Sequence, residues 1–252
     1  MCDMCCPPKG SYLMAKKSTR NIDTSISNIE APENLKNQPF YGYILDEEQE
    51  RFRDLIYDKE YDIVFCNAKA GTGKTFVAVG TANIMVQYKL FQKIIYVVSP
   101  CAEGRLGFLP GSVTEKVSIY YEPLYSAMIA CNINPYTAVI EDTLTSGKFD
   151  EAYIKPITDV YLRGTNLDDA IIIIEEAQNF TFPLLKKTLT RIGTNTKTIV
   201  IGHTGQIDLD NPRDSGFERY LKHYESKERC AVCELYTNHR GWVSSWADEL
   251  DG

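Results

Sequence analysis

Residues 68–75 read AKAGTGKT, between an apolar run, DIVFCN (62–67), and the stretch FVAVGTANIMVQYKL (76–90). Apart from Ala68, where glycine is usual, the spacing is that of a phosphate-binding loop, G-x-x-x-x-G-K-[ST], in its strand–turn–helix setting. Such a loop aims backbone N–H groups at an oxyanion, and the helix start adds its positive end. Lys69, Ala70 and Thr72 supply loop backbone, while Gly71 and Gly73 permit the tight turn. Lys74 brings an ammonium to the β- and γ-phosphates, Thr75 offers a hydroxyl to Mg²⁺, and Phe76 opens the helix. A methyl group at Ala68 is tolerated if its φ is negative and costs ~1 kcal/mol if it is positive.

The second chemical signal is AIIIIEEAQN (170–179), with two carboxylates directly after a four-isoleucine run. Glu175 and Glu176 thus fall at the carboxyl end of a buried strand, where open α/β sheets bind ligands. On extended backbone, neighbouring side chains point opposite ways. One carboxylate, Glu175, is expected to hold Mg²⁺ with Thr75, and Glu176 to orient or deprotonate a water.

The elements that must position these groups are short apolar runs at 62–67, 93–99, 170–176, 197–202 and 230–236. They are rich in Ile and Val and do not alternate with polar residues, as expected of strands buried on both faces of a parallel sheet. Helical periodicity falls between them, at 75–90, about 115–131, 182–192 and 214–225, and ahead of them in LDEEQERFRDLIYD (45–58), where Asp46 is placed to cap. Strands alternating with helices predict an α/β fold, a doubly wound, mostly parallel sheet with helices on both faces. Residues 1–38 are polar and aperiodic and read as a flexible N-terminal tail; one domain is expected over 39–252.

Composition narrows the class. The chain has 252 residues, enough for a sizeable core. No run of ~18 apolar residues is present and the N-terminus lacks the apolar core of a signal peptide, so a cytoplasmic location without a membrane is expected. A net charge of −7 excludes a protein that coats duplex DNA by general basicity. Cys230 and Cys233 form a C-x-x-C that, with Cys2, Cys5 and Cys6, offers a zinc alternative; CAVCELY (230–236) reads instead as a buried strand with cysteine as apolar filler.

At AGTGKT (70–75), RLGFLPGSVTEKV (105–117), EPLYSAM (122–128), YLRGTNLDDAIIIIEEAQN (161–179), LTRIGTNTKTIVIG (189–202) and QIDL (206–209) the sequence resembles the PhoH-like family of P-loop ATPases. That family is related to the first core domain of superfamily 1 helicases. The resemblance implies a RecA-like P-loop NTPase sheet, binding of ATP or ADP with Mg²⁺, ATP hydrolysis, a homo-oligomeric (hexameric) ring, and action on RNA or single-stranded DNA. It assigns Gln49 to the adenine edge, Gln178 to coupling the γ-phosphate with the nucleic-acid face, Gln206 to sensing the γ-phosphate, and Arg240 to neutralising transition-state charge in its own or a neighbour's site.

The chain departs from the family pattern at the acidic box, Glu175-Glu176 in place of Asp-Glu, and at Gly202-His203 in place of Gly-Asp. His203 is not a fixed anion at neutral pH, which points to slow turnover. Two functions follow: an ATPase that works on single-stranded nucleic acid, and, alternatively, a nucleotide-gated assembly module with little turnover. In RLGFLPG, Phe108 and Leu109 are candidates for base stacking or packing, with Arg105 and Lys116 as nearby cations.

Overall fold

The computed structural model describes residues 30–100, 119–140, 152–162 and 167–248. Between Ile63 and Leu235 the described residues form six strands: β1 (Ile63–Ala68), β2 (Lys93–Val98), β3 (Ile154–Thr158), β4 (Ala170–Ile174), β5 (Thr196–Gly202) and β6 (Cys230–Leu235). They form one sheet in the order β3-β2-β4-β5-β1-β6, with every pairing parallel. The loop-bearing strand β1 and the acidic strand β4 are therefore separated by β5 alone, which is the RecA-like arrangement. Their carboxyl ends open on the same edge.

The isoleucine run shows why both faces must be covered. Every residue of β4 is buried. Ile171 and Ile173 pack on one side with Val64, Cys66, Ile199 and Ile201; Ile172 and Ile174 pack on the other with Phe65, Val97 and Val200. This is the two-residue period of a strand meeting an apolar layer on each side. The first layer is built by α1 (Glu47–Tyr57), α2 (Lys74–Gln87) and α3 (Glu122–Ala130), through Phe52, Ile56, Val77 and Leu124; a short helix α4 (Pro135–Ala138) follows. The second is built by α5 (Phe182–Leu189) and α6 (Phe217–Tyr224), through Leu185 and Phe217. A last helix, α7 (Trp242–Asp248), follows β6.

Asp46 caps α1 as expected: its carboxylate accepts from Gln49 N at 2.8 Å, and Gln49 Oε1 accepts from Asp46 N at 3.3 Å, a complete capping box. Cys230 and Cys233 lie on β6 and pack into opposite layers. A strand sends residues i and i+3 to opposite faces, so this pair does not converge on one ion.

Two expectations are corrected. The tail boundary at 38 is too late, because Leu35 is 2% exposed and Tyr57 Oη donates to Pro32 O at 2.7 Å. An edge strand, β3, lies where no strand is expected. Residues 1–29 and 101–118, which include RLGFLPG with Arg105, Phe108, Leu109 and Lys116, lie outside the described residues. No helix among the described residues is long and apolar enough to cross a membrane.

Candidate nucleotide site

The loop begins where β1 ends. Ala68 is 1% exposed, pairs with Leu235 and is not among the residues of positive φ, so its methyl group sits in the core without strain. Gly71 and Gly73 have φ of 77° and 76°. Both are in the left-handed region where a side chain is disfavoured, and both are approached closely. A Cβ at Gly71 would lie 2.5 Å from Asn238 Oδ1, and one at Gly73 would lie 2.7 Å from Gln49 Nε2. Thr72 closes the turn on itself, Oγ1 donating to Lys69 O at 3.0 Å. The loop is then clamped from two sides. Gln49 Nε2 donates to Thr72 O at 2.9 Å, and His239 N donates to Gly71 O at 2.9 Å. His239 Nε2 also meets Asp46 Oδ2 at 2.8 Å, joining the two clamps.

The acidic pair faces this loop. Glu175 is 1% exposed, and its Oε1 accepts from Thr75 Oγ1 at 3.0 Å. Among the described residues, Glu175 Oε2 is buried and completes no hydrogen bond of ordinary geometry; nor does the Tyr96 hydroxyl, although it lies near enough to favour the ionised carboxyl. Burial, then the Glu176 charge, push the Glu175 carboxyl up to about 7, against the opposing pull of Lys74, Thr75 and Tyr96. Glu176 does not continue the strand. Its φ of 50° and ψ of 45° are left-handed, and this turns its carboxylate back toward the loop, 3.6 Å from Lys74 Nζ. The expectation that the two carboxylates point opposite ways assumes extended backbone; the left-handed turn makes both converge on α2. A non-glycine residue in that region costs ~1 kcal/mol and marks a site held by its surroundings.

Behind the pair, Gln178 bridges two elements: its Nε2 donates to Glu176 Oε2 at 2.5 Å and its Oε1 accepts from His203 N at 3.0 Å. A reciprocal pair, Asn179 Nδ2 to Asp208 Oδ2 and Asp208 N to Asn179 Oδ1, each 2.9 Å, ties the acidic loop to the loop carrying Gln206. Sequence reasoning missed Asn179 and Asp208, although EEAQN and QIDL are visible, because only the fold brings them together.

A cleft of about 500 Å³ opens over this arrangement, lined by Gln49, Gly71, Gly73, Lys74, Thr75, Phe76, Glu176 and Arg240, with Tyr43 and Ile44 at its mouth. Arg240 therefore reaches the site of its own chain, and among the described residues it forms no ion pair. Glu175 and Gln178 lie buried beneath the cleft, and Gln206 is not among its lining residues. A larger cleft, about 680 Å³, lies at the opposite end of the sheet around Lys197, Asp62 and Arg229. Among the described residues that line it there is no glycine loop and no acidic pair, so the smaller cleft is the candidate nucleotide site. The donor set fits a magnesium–phosphate group: a hydroxyl beside a buried carboxylate with a free oxygen, next to a nest of N–H groups and an ammonium.

A model of the PhoH-like protein family matches residues 44–240. The chain belongs to the PhoH-like family. It is 37% identical over 189 residues to a PhoH-like protein of Mycobacterium leprae (strain TN), covering 74% of this chain and 51% of that protein. It is 34% identical to a PhoH-like protein of Bacillus subtilis (strain 168), covering 81% and 60%, and 31% identical to protein PhoH of Escherichia coli (strain K12), covering 74% and 51%. The chain thus spans about half the length of several relatives. Among solved structures, it is similar to the HK97 bacteriophage large terminase at a TM-score of 0.49 and 15% identity, covering 83% of this chain and 43% of that one. It is also similar to Bacteroides sp Pif1 in complex with ADP-AlF4, at 0.39 and 16%, covering 83% and 46%.

Proposed function

We propose that this PhoH-like chain binds ATP with Mg²⁺ in the cleft and hydrolyses the β–γ phosphoanhydride. The carrying observation is the convergence of Thr75 and the buried, half-satisfied Glu175 beside the glycine nest. Thr75 and Glu175 would hold the Mg²⁺, which when bound offsets negative charge on the β- and γ-oxygens. The backbone of Lys69–Gly73 cradles the phosphates, and Lys74 neutralises charge on the γ-group. Glu176, 45% exposed at its side chain, orients a water and accepts its proton as the water oxygen bonds to the γ-phosphorus. The bond from that phosphorus to the bridging oxygen breaks, giving ADP and phosphate. Arg240, in the same cleft, stabilises the charge that develops. Gln178 carries the state of the γ-phosphate from Glu176 to the backbone of His203, and Gln206, outside the cleft lining, senses it indirectly through that loop, where its N–H donates to His203 O at 3.3 Å.

Coupling to RNA or single-stranded DNA, and a homo-oligomeric (hexameric) ring, complete the proposal. The bridged acidic loop and the Asp208 loop give the phosphate state a route away from the cleft. A second reading, a nucleotide-gated assembly module with little turnover, draws on His203 and on the exposed Trp242, Val243 and Trp246 just beyond Arg240. Phosphate release, with and without RNA and single-stranded DNA, run beside Lys74→Ala, separates them. The ATPase reading expects turnover that nucleic acid stimulates and the variant abolishes. Nucleotide-dependent assembly without phosphate release favours the second.

A further inference from the structure

We propose that Gln49 holds the phosphate loop and does not read the base, so that the cleft takes purine and pyrimidine nucleotides nearly alike. This deepens, and rests on, the nucleotide reading above.

Gln49 is the one carboxamide lining the cleft among the described residues, and it is 6% exposed. Both of its ends are engaged. Oε1 accepts from Asp46 N, closing the capping box of α1, and Nε2 donates to Thr72 O in the loop. The amide also fills the space beside Gly73, where a Cβ would come within 2.7 Å of Nε2. Turning it toward an adenine edge would open two existing bonds, one of them to the carbonyl of Thr72, itself 1% exposed, in exchange for at most two new ones. That exchange leaves little net discrimination. The neighbouring polar ring, His239, is held by Asp46 and by its own backbone bond to Gly71.

Beside the charged groups that face the phosphates, what the described lining offers a base is apolar surface. Tyr43 is half-exposed and meets Phe76 edge-on at 5.0 Å; Ile44 is 99% exposed; Pro123 and Ala130 also line the cleft. Every base has a π-face, so a ledge of this kind binds by stacking and without regard to the pattern of donors and acceptors.

The test is calorimetry on the full chain with ADP, GDP, CDP, UDP and inorganic pyrophosphate, each with Mg²⁺. The four nucleotides are expected to bind within about 5-fold of one another. Gln49→Met is expected to weaken all four and pyrophosphate alike, on the order of 10-fold, because the loop loses its prop. Tyr43→Ala is expected to weaken the four nucleotides and spare pyrophosphate. A preference for ADP above about 30-fold, or a Gln49→Met defect confined to ADP with pyrophosphate unchanged, overturns the proposal. Should Gln49→Met fail to fold, the wild-type series and Tyr43→Ala still decide it. If neither nucleotides nor pyrophosphate bind the wild type, the nucleotide reading itself fails, an outcome distinct from binding with strong base preference.

Discussion

Replacing Glu175 by Gln should stabilise the nucleotide-free chain while ending its chemistry. Burial raises the Glu175 carboxyl from its ordinary 4.5 to about 7. Between these values the folded chain holds a proton that the unfolded chain has released. Stability from this group is therefore fully present below about pH 4.5 and is lost as pH rises through about 7. The shift corresponds to ~3 kcal/mol at its upper bound, at roughly 1.4 kcal/mol per pH unit. A neutral amide of the same shape escapes that loss. In EDTA, without nucleotide, Glu175→Gln is expected to match the wild type near pH 5 and to exceed it at about pH 8.5. At roughly 2–4 °C per kcal/mol for a domain of this size, the gain in Tm is ~6–12 °C. The assay is a pair of thermal-melt series across pH, with phosphate release measured in parallel. Parallel Tm–pH curves, or a wild type more stable than the variant at high pH, would refute the account of Glu175 as a buried carboxyl that its surroundings disfavour in the ionised state.

Gly73→Ala is expected to cost ~1–2 kcal/mol and to abolish nucleotide binding, since it strains a left-handed turn and displaces Gln49; calorimetry and a melt check both. Asp208→Ala frees one arm of Asn179 and loosens the loop carrying Gln206, so kcat should fall about 10-fold with Tm nearly unchanged; an unaltered kcat would remove that pair from the mechanism. Lys197, buried on β5 with its ammonium donating to Asp58 O and Tyr61 O, is pushed by burial from 10.5 down to about 8. The folded chain then binds fewer protons than the unfolded chain between these values, so wild-type stability rises with pH across that window. Lys197→Met should flatten the rise in a Tm–pH series, and equal slopes would count against it. Phe217→Ala, which removes a fully buried ring packed near Phe65, should destabilise by about 3–5 kcal/mol in denaturant melts.

The parallel strands were legible because a strand covered on both faces must be apolar throughout, and IIII in β4 or IVIG in β5 has no other comfortable place. The edge strand β3, IKPIT, was not: among the named strands it pairs with β2 alone, with a short bridge from Ile154 to Val139 on its other side, it is half-covered, and Pro156 has no N–H to donate, which an edge position tolerates. Helix α7 was hidden for the opposite reason, since GWVSSWAD leaves its tryptophans exposed and shows no stripe facing a core. At the site, the sequence made legible that Lys74 and Thr75 open a helix facing Glu175 at a strand end, a placement that follows from strand–turn–helix geometry. It did not suffice for Glu176, whose direction depends on one left-handed residue, nor for Gln49. Its helix position was visible, but its partner Thr72 is 23 residues away in sequence.

The glycine nest and Lys74, facing Glu175 and Glu176, are proposed to capture a magnesium–polyphosphate. Calorimetric titration of the wild type and of Lys74→Ala with ADP and Mg²⁺ tests this most directly. Saturable binding of one nucleotide per chain in the wild type, lost in the variant, is the expected result. No heat of association in the wild type, or equal binding by both, would contradict it.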